Sequence, residues 1–390
     1  MPVAACFGTG GEQAAGAESC NVPGVTGNEV KIGFVYPDTG VDAEAFSAAR
    51  AGLEGRIGLA NEGGGINGRK IVYEWRNDEM SAEMNRGVVR DLVENVGVVG
   101  LVTASVTMTG SASYLAEQRV PVTGMDAEPV WSQYDNMFTF ARMSSGAVDT
   151  WGRYIQINGG TRALIVIPNN LDSAAAYADR LVRGIQAVGV THVGTVEYAA
   201  ATDSPQRIAA MLSASRADVL IGVIDPPALA EILGATRSGG VPLKVTLSAA
   251  GYDAALLERF GPELAGTSIM LYFTPLEAGG PAVARYMTAI ARYAPQVRFP
   301  EQEFAIRSYI QTDMFLSALQ AAGRCPTREA IIEALTAMKG YDAGGLIKPI
   351  DLGAHDGRPQ SCLNFVRVNE TGTAFDLAAK ELCGNVVPTR

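Results

Sequence analysis

The chain has 390 residues, 47% of them hydrophobic and 18% charged. That is enough apolar material for a large core and too much chain for one compact globule, so two α/β domains are the default expectation. The formal net charge of -10, with no clustered Lys and Arg, argues against nucleic acid as a partner. No run approaches the roughly 18–20 uninterrupted apolar residues of a membrane-spanning helix, so membrane contact would have to come through an anchor.

At the start of the chain, Val3-Ala4-Ala5-Cys6 is an aliphatic-small-small-Cys string, followed by a Gly/Ala-rich stretch from Gly8 to Ala17. The string resembles a bacterial lipoprotein cleavage box. That makes Cys6 a candidate lipid anchor and residues 1–28 a signal remnant and tether. Cys20, Cys325, Cys362 and Cys383 form an even set that an oxidising compartment would join into two disulfides, and the spacing does not choose among the three pairings. None of the cysteines sits in a C-x-x-C or Cys/His cluster, so no metal site is expected.

From about residue 29, short β-branched runs alternate with longer helical stretches, the pattern of a parallel sheet with helices on its faces. The first strand is Val30 to Tyr36, stopped by Pro37. An Ala/Leu-rich helix follows from about Asp42 to Asn61 and ends in Gly63-Gly64-Gly65, where glycine permits a tight turn. The unit repeats through strand 70–75, helix 81–95, strand 98–102, helix 110–118 and strand 120–124. A second run of similar size begins after Met143, with strands at 163–167, 190–197, 218–223 and 243–247 and helices between them. The chain then returns through strand Ser268 to Phe273 and helices at about 281–293, 302–322 and 327–338. It closes on a hairpin turned at Asn369-Glu370-Thr371-Gly372. In open parallel sheets, ligands sit beyond the carboxyl ends of the strands. That rule selects the loops 36–40, 103–110, 123–129, 168–173, 224–227 and 248–253 as the candidate site.

The string Asn61-Glu62-Gly63-Gly64-Gly65-Ile66-Asn67-Gly68-Arg69-Lys70, with Ile32-Gly33 leading to Pro37-Asp38-Thr39-Gly40, with Arg119-Val120-Pro121-Val122, and with Arg307-Ser308-Tyr309 opening a helix that ends Ala322-Gly323, resembles the type I periplasmic binding proteins of the branched-chain amino-acid transport family. The resemblance runs from about 29 to 345. It implies two doubly wound Rossmann-like α/β lobes joined by a three-crossover hinge, with lobe one at 29–142 plus 273–345 and lobe two at 143–272 plus 346–390. It also implies closure over a small-molecule ligand, a cell-envelope location outside the cytoplasm, and delivery to the membrane permease of an ABC transporter.

Members of that family specialised for α-amino acids hold the ligand's two charged ends with a fixed set of residues. At the matching positions this chain has Ala104 followed by Ser105, then Met125-Asp126-Ala127; in lobe two it has Ser173, Ile224 and Ala249 where the set has two tyrosines and a glutamate. The aromatic of the returning lobe-one helix survives as Tyr309. A buried ammonium without a carboxylate partner is costly, and a carboxylate facing Asp126 would be repelled. The implied ligand is therefore not a simple branched-chain amino acid. If Asp126 faces the cleft, joined by Asp172 or Asp225, the ligand should offer hydrogen-bond donors or positive charge, with Tyr36, Tyr252 and Tyr309 as stacking faces. Plain alternatives stand beside these roles. Asp126 and Asp172 each precede a helix they could cap, Asp225 sits in a Pro-rich loop, and Tyr309 could be core. Ser105 and Thr107 lie where a helix N-terminus offers free N–H groups.

The only histidines, His192 and His355, are far from any candidate nucleophile, no phosphate-binding glycine loop is present, and no cofactor is implied. Two rival functions remain: a ligand sensor of the same fold, and an envelope-tethered enzyme using Asp126 with a second carboxylate as an acid/base pair.

Overall fold

The computed structural model describes residues 20–40, 43–142, 146–169, 171–353 and 358–388, without the side chain of Asp172. Cys6 and His355 lie outside the described residues.

The first half of the chain folds as β1 (Glu29–Tyr36), α1 (Ala49–Glu62), β2 (Lys70–Asn77), α2 (Ala82–Arg90), β3 (Leu101–Thr103), α3 (Ala112–Glu117), β4 (Val122–Gly124) and β5 (Met137–Phe138). These strands form one parallel sheet in the order β2-β1-β3-β4-β5. A short strand β6 (Ala147–Val148) and helix α4 (Thr150–Ile157) lead into the second unit. It contains β7 (Arg162–Pro168), α5 (Asp172–Ala187), β8 (Thr191–Tyr198), α6 (Pro205–Ser215), β9 (Val219–Gly222), α7 (Pro226–Ser238), β10 (Val245–Ser248), α8 (Ala254–Leu264) and β11 (Thr267–Leu271). Its parallel part runs β8-β7-β9-β10-β11, so counted from its own start it repeats the 2-1-3-4-5 order of the first. Strands β9, β10 and β11 are buried along their whole length, as expected of parallel strands covered by helices on both faces.

The chain then returns to the first lobe. Helices α9 (Pro281–Tyr293) and α10 (Glu303–Ala321) pack on α1, and α11 (Arg328–Ala337) packs on α10. Gly52 makes the α1–α10 crossing possible: a Cβ there would stand 1.9 Å from the carbonyl oxygen of Ala305. Finally β12 (Cys362–Val368) and β13 (Phe375–Cys383) add an antiparallel edge to the second sheet, and β14 (Val386–Val387) pairs with β6.

The glycine-rich string is a structural clasp. Ile66 N–H and Arg69 N–H exchange bonds with each other's carbonyls at 2.8 and 3.0 Å. The left-handed Asn67 donates its side-chain amide to the carbonyls of Gln320 and Gly323 at the end of α10. Arg69 reaches the carbonyls of Thr26 and Arg324 at 2.7 and 2.6 Å. The Cys20–Cys325 disulfide reinforces the same corner, and Cys362–Cys383 links facing residues of the terminal hairpin.

Candidate functional site

In a 2-1-3-4-5 sheet, neighbouring loops diverge to opposite faces between strands 1 and 3, which leaves a crevice at their carboxyl ends. Both sheets aim that crevice at the same place. A cavity of about 220 Å³ lies between the lobes. Val106, Met125 and Ala127 reach it from the first lobe, and Pro168, Ser173, Asp225 and Ala249 from loops and helix starts of the second. Phe46, Met80, Phe304, Leu171, Tyr177 and Ile224 complete a mostly apolar wall.

One edge of the crevice is bridged across the lobes. The N–H of Glu303 donates to the carbonyl of Tyr252 at 2.8 Å, and that of Ala254 to Glu301 at 3.0 Å. Gln302 donates to Asp253 at 2.8 Å, Arg298 pairs with Glu258 at 2.8 Å, and Arg259 pairs with Glu44.

Four charged residues stand in the wall. Glu303 and Arg307, one turn apart on α10, form an ion pair at 2.6 Å with side chains only 5% and 3% exposed. Burial pushes the Glu303 carboxyl above its ordinary range, with Arg307 pulling the other way. Arg180 comes from α5, where Ser173, Tyr177 and Arg180 share one face at i, i+4 and i+7. Its guanidinium stands over the Tyr177 ring, 5.4 Å from the centroid. Partial burial draws it below the usual arginine value, opposed by the Tyr177 and Tyr272 hydroxyls and the charge of Asp126. Asp225, the residue before α7, is the fourth.

The expected site residues divide. Met125, Ala127, Ser173 and Asp225 line this cavity, and Tyr252 lines a smaller adjoining hollow. Ala104, Ser105, Thr107 and Asp126 are not in its wall. Ser105 is fully buried and gives its hydroxyl to Asp78, which also accepts from Thr107 at 3.1 Å, so these oxygens are committed inside the first lobe. Asp126 is 1% exposed, and its carboxylate acts on Arg180 and Tyr272. The capping role is not the one the structure gives it: the turn at Pro129–Ser132 has Glu128 in the cap position, two residues further on. Asp172 opens α5 after the extended Leu171, and its side chain lies outside the described residues.

The aromatic expectations also move. Tyr309 packs edge-to-face on Tyr286, centroids 5.3 Å apart, and lines a separate cavity with Arg56 and Asp313. Tyr36 is 2% exposed and stacked on Phe34. Tyr252 is sealed, donating its hydroxyl to Glu277 at 2.8 Å. Tyr177, Arg180, Glu303 and Arg307 were not foreseen. The i, i+4, i+7 stripe on the helix leaving a candidate loop is the sequence signal that points to the first two.

Two α/β lobes of matching strand order, facing each other across a cavity at their strand ends, have the architecture of a two-lobed binding protein. The chain belongs to the periplasmic binding protein family, whose model matches residues 29–373; these are solute-binding proteins. It is 22% identical over 363 residues to a Leu/Ile/Val-binding protein homologue of Brucella melitensis, covering 88% of each chain. Its fold is similar to that of a branched-chain amino-acid ABC transporter protein from Thermus thermophilus with bound valine, with TM-score 0.79 and 16% identity over 90% of this chain and 96% of that one. It is also similar to a fatty acid ABC transporter substrate-binding protein from Thermomonospora curvata, with TM-score 0.76 and 18% identity over 93% and 94%.

Proposed function

We propose that this protein is the extracytoplasmic solute-binding component of an ABC-type importer, and that its cargo is a small solute with an apolar body held between the lobes rather than a simple branched-chain amino acid. The observation that carries the reading is the character of the wall at Ala127, Ile224 and Ala249, positions where the resemblance calls for polar partners of an amino acid's charged ends. An α-ammonium placed there would lose its hydration against hydrocarbon, at a cost of several kcal/mol. The carboxylate of Glu303 is already bound to Arg307. Both valine and fatty acid appear among the ligands of proteins with this fold, and the wall suits the second better.

Met125, Ala127, Ser173 and Asp225 are the ligand-facing members of the expected set. The ligand-dependent step is closure, with the Tyr252–Glu303 edge as the seam that a transporter's permease would read. Two disulfides suit an oxidising envelope compartment, and Cys6 is the proposed lipid anchor.

A thermal-shift screen against amino acids, polyamines, sugars, nucleosides and apolar or aromatic acids tests the reading. At a hundredfold excess over Kd, a bound solute stabilises the folded form by about 2.7 kcal/mol. Shifts with apolar solutes and none with leucine or valine are expected; a clear shift with leucine would overturn the cargo assignment.

A further inference from the structure

The charged groups of the cavity wall are unequal in what they already hold. Glu303 and Arg307 neutralise each other in direct contact. Asp225 is engaged within the protein, as are Arg307 and Asp126. Arg180 differs: among the described residues it has no ion pair within 4.0 Å and no hydrogen bond, and its Nε is closed to solvent with no acceptor. Within the described residues its charge is met by the Tyr177 ring, by the Tyr177 and Tyr272 hydroxyls and by the charge of Asp126, none of them as an ion pair or hydrogen bond. A guanidinium carries five N–H donors in a planar fork matched to a carboxylate. Leaving such donors unfilled beside an apolar cavity is costly, and an anionic ligand would relieve that cost.

The geometry points to Arg180 as the anion partner of the ligand: we propose that the solute is an organic monoanion, a carboxylate on an apolar body, with its charge at the α5 side and its hydrocarbon against Phe46, Met80, Met125 and Phe304. This rests on the receptor reading above and narrows its cargo. It also reverses the expectation, drawn from Asp126, that the ligand brings donors or positive charge. The acidic groups described at the site are engaged within the protein, while the donors without an acceptor belong to an arginine.

The test uses the full chain and matched probes that differ only in charge: octanoate, octanamide and octylamine, with benzoate, benzamide and benzylamine as a second series, titrated by calorimetry. Carboxylates should bind at least about tenfold more tightly than the amides, and the amines more weakly still. Arg180→Met should lower carboxylate affinity roughly 10- to 100-fold while leaving amide affinity within about twofold, with Arg180→Lys in between. The charge series on the unaltered protein decides the question even if Arg180→Met folds poorly. Amides binding as tightly as carboxylates, or an Arg180→Met protein that keeps its carboxylate affinity, would overturn the anion assignment and leave the receptor reading standing. Failure of every probe, charged or neutral, would remove the apolar-solute reading and the anion assignment together.

Discussion

Asp218 offers a stability prediction whose size can be worked from its contacts. It sits just before β9, where β7, β9 and β10 begin, and its carboxylate accepts from the Thr161 and Arg162 amides at 2.8 and 2.7 Å and from the Thr161 hydroxyl at 2.9 Å, with Lys244 at 3.0 Å. Burial opposes ionisation, but these donors outweigh it and bring the group from 3.8 to about 2. A drop of nearly two pH units corresponds to roughly 2 kcal/mol of folding stability. Because the folded value lies below the unfolded one, that stability is fully present above pH 4 and is lost as pH falls from about 4 to about 2. Urea unfolding of the native protein and Asp218→Asn across pH 7 to 2 isolates it, since all other carboxylates are common to both. The gap between the two curves should be widest at neutral pH and shrink by about 2 kcal/mol towards pH 2. Curves that stay parallel over the whole range would show that the four donors do not select the ionised form.

Two further perturbations address how the lobes are held. Gly52→Ala should cost about 1–3 kcal/mol in urea titration, because its methyl meets the Ala305 carbonyl at 1.9 Å and the α1–α10 crossing must open. Gly87→Ala on α2, with nothing within 4 Å, should instead gain roughly 0.5–1 kcal/mol. Equal effects at the two glycines would refute the close crossing. On chain-entropy grounds, removing Cys20–Cys325, which spans 305 residues, should cost up to about 5–6 kcal/mol, and removing Cys362–Cys383, which spans 21, about 3 kcal/mol. Paired Cys→Ser variants compared by unfolding under non-reducing conditions check the order, and a larger loss from the short loop would contradict it.

The alternation of β-branched runs and helices was enough to place the two lobes, because buried parallel strands leave a continuous apolar signature. Five of the six candidate loops contribute to the cavity wall, since strand carboxyl ends follow from strand order, and the loop 36–40 does not. What the sequence withheld was direction. Ser105 and Thr107 are the right residue types on the right loop, but Asp78, brought alongside by β2, claims them both. Tyr309 stands two residues beyond Arg307, a rotation of about 200° on a helix, so a cleft-facing Arg307 turns Tyr309 to the other side. Arg180 carries only the i, i+4, i+7 spacing from Ser173 as a local mark, and it takes the packing of α5 over the cavity to tell it from the arginines on the surface. The glycine-rich string, the clearest signature in the sequence, is spent on joining α1, β2 and α10.

The central claim is that the solute is held in the cavity between α5 and α10. Ser173 lines that cavity and is only partly buried, so Ser173→Trp should fill it without disturbing the core. The compound giving the largest thermal shift with the native protein should be titrated calorimetrically into both proteins. Unchanged unfolding temperature with binding lost, or weakened about a hundredfold or more, is the expected result; undiminished binding to the filled cavity would place the ligand elsewhere and contradict the account.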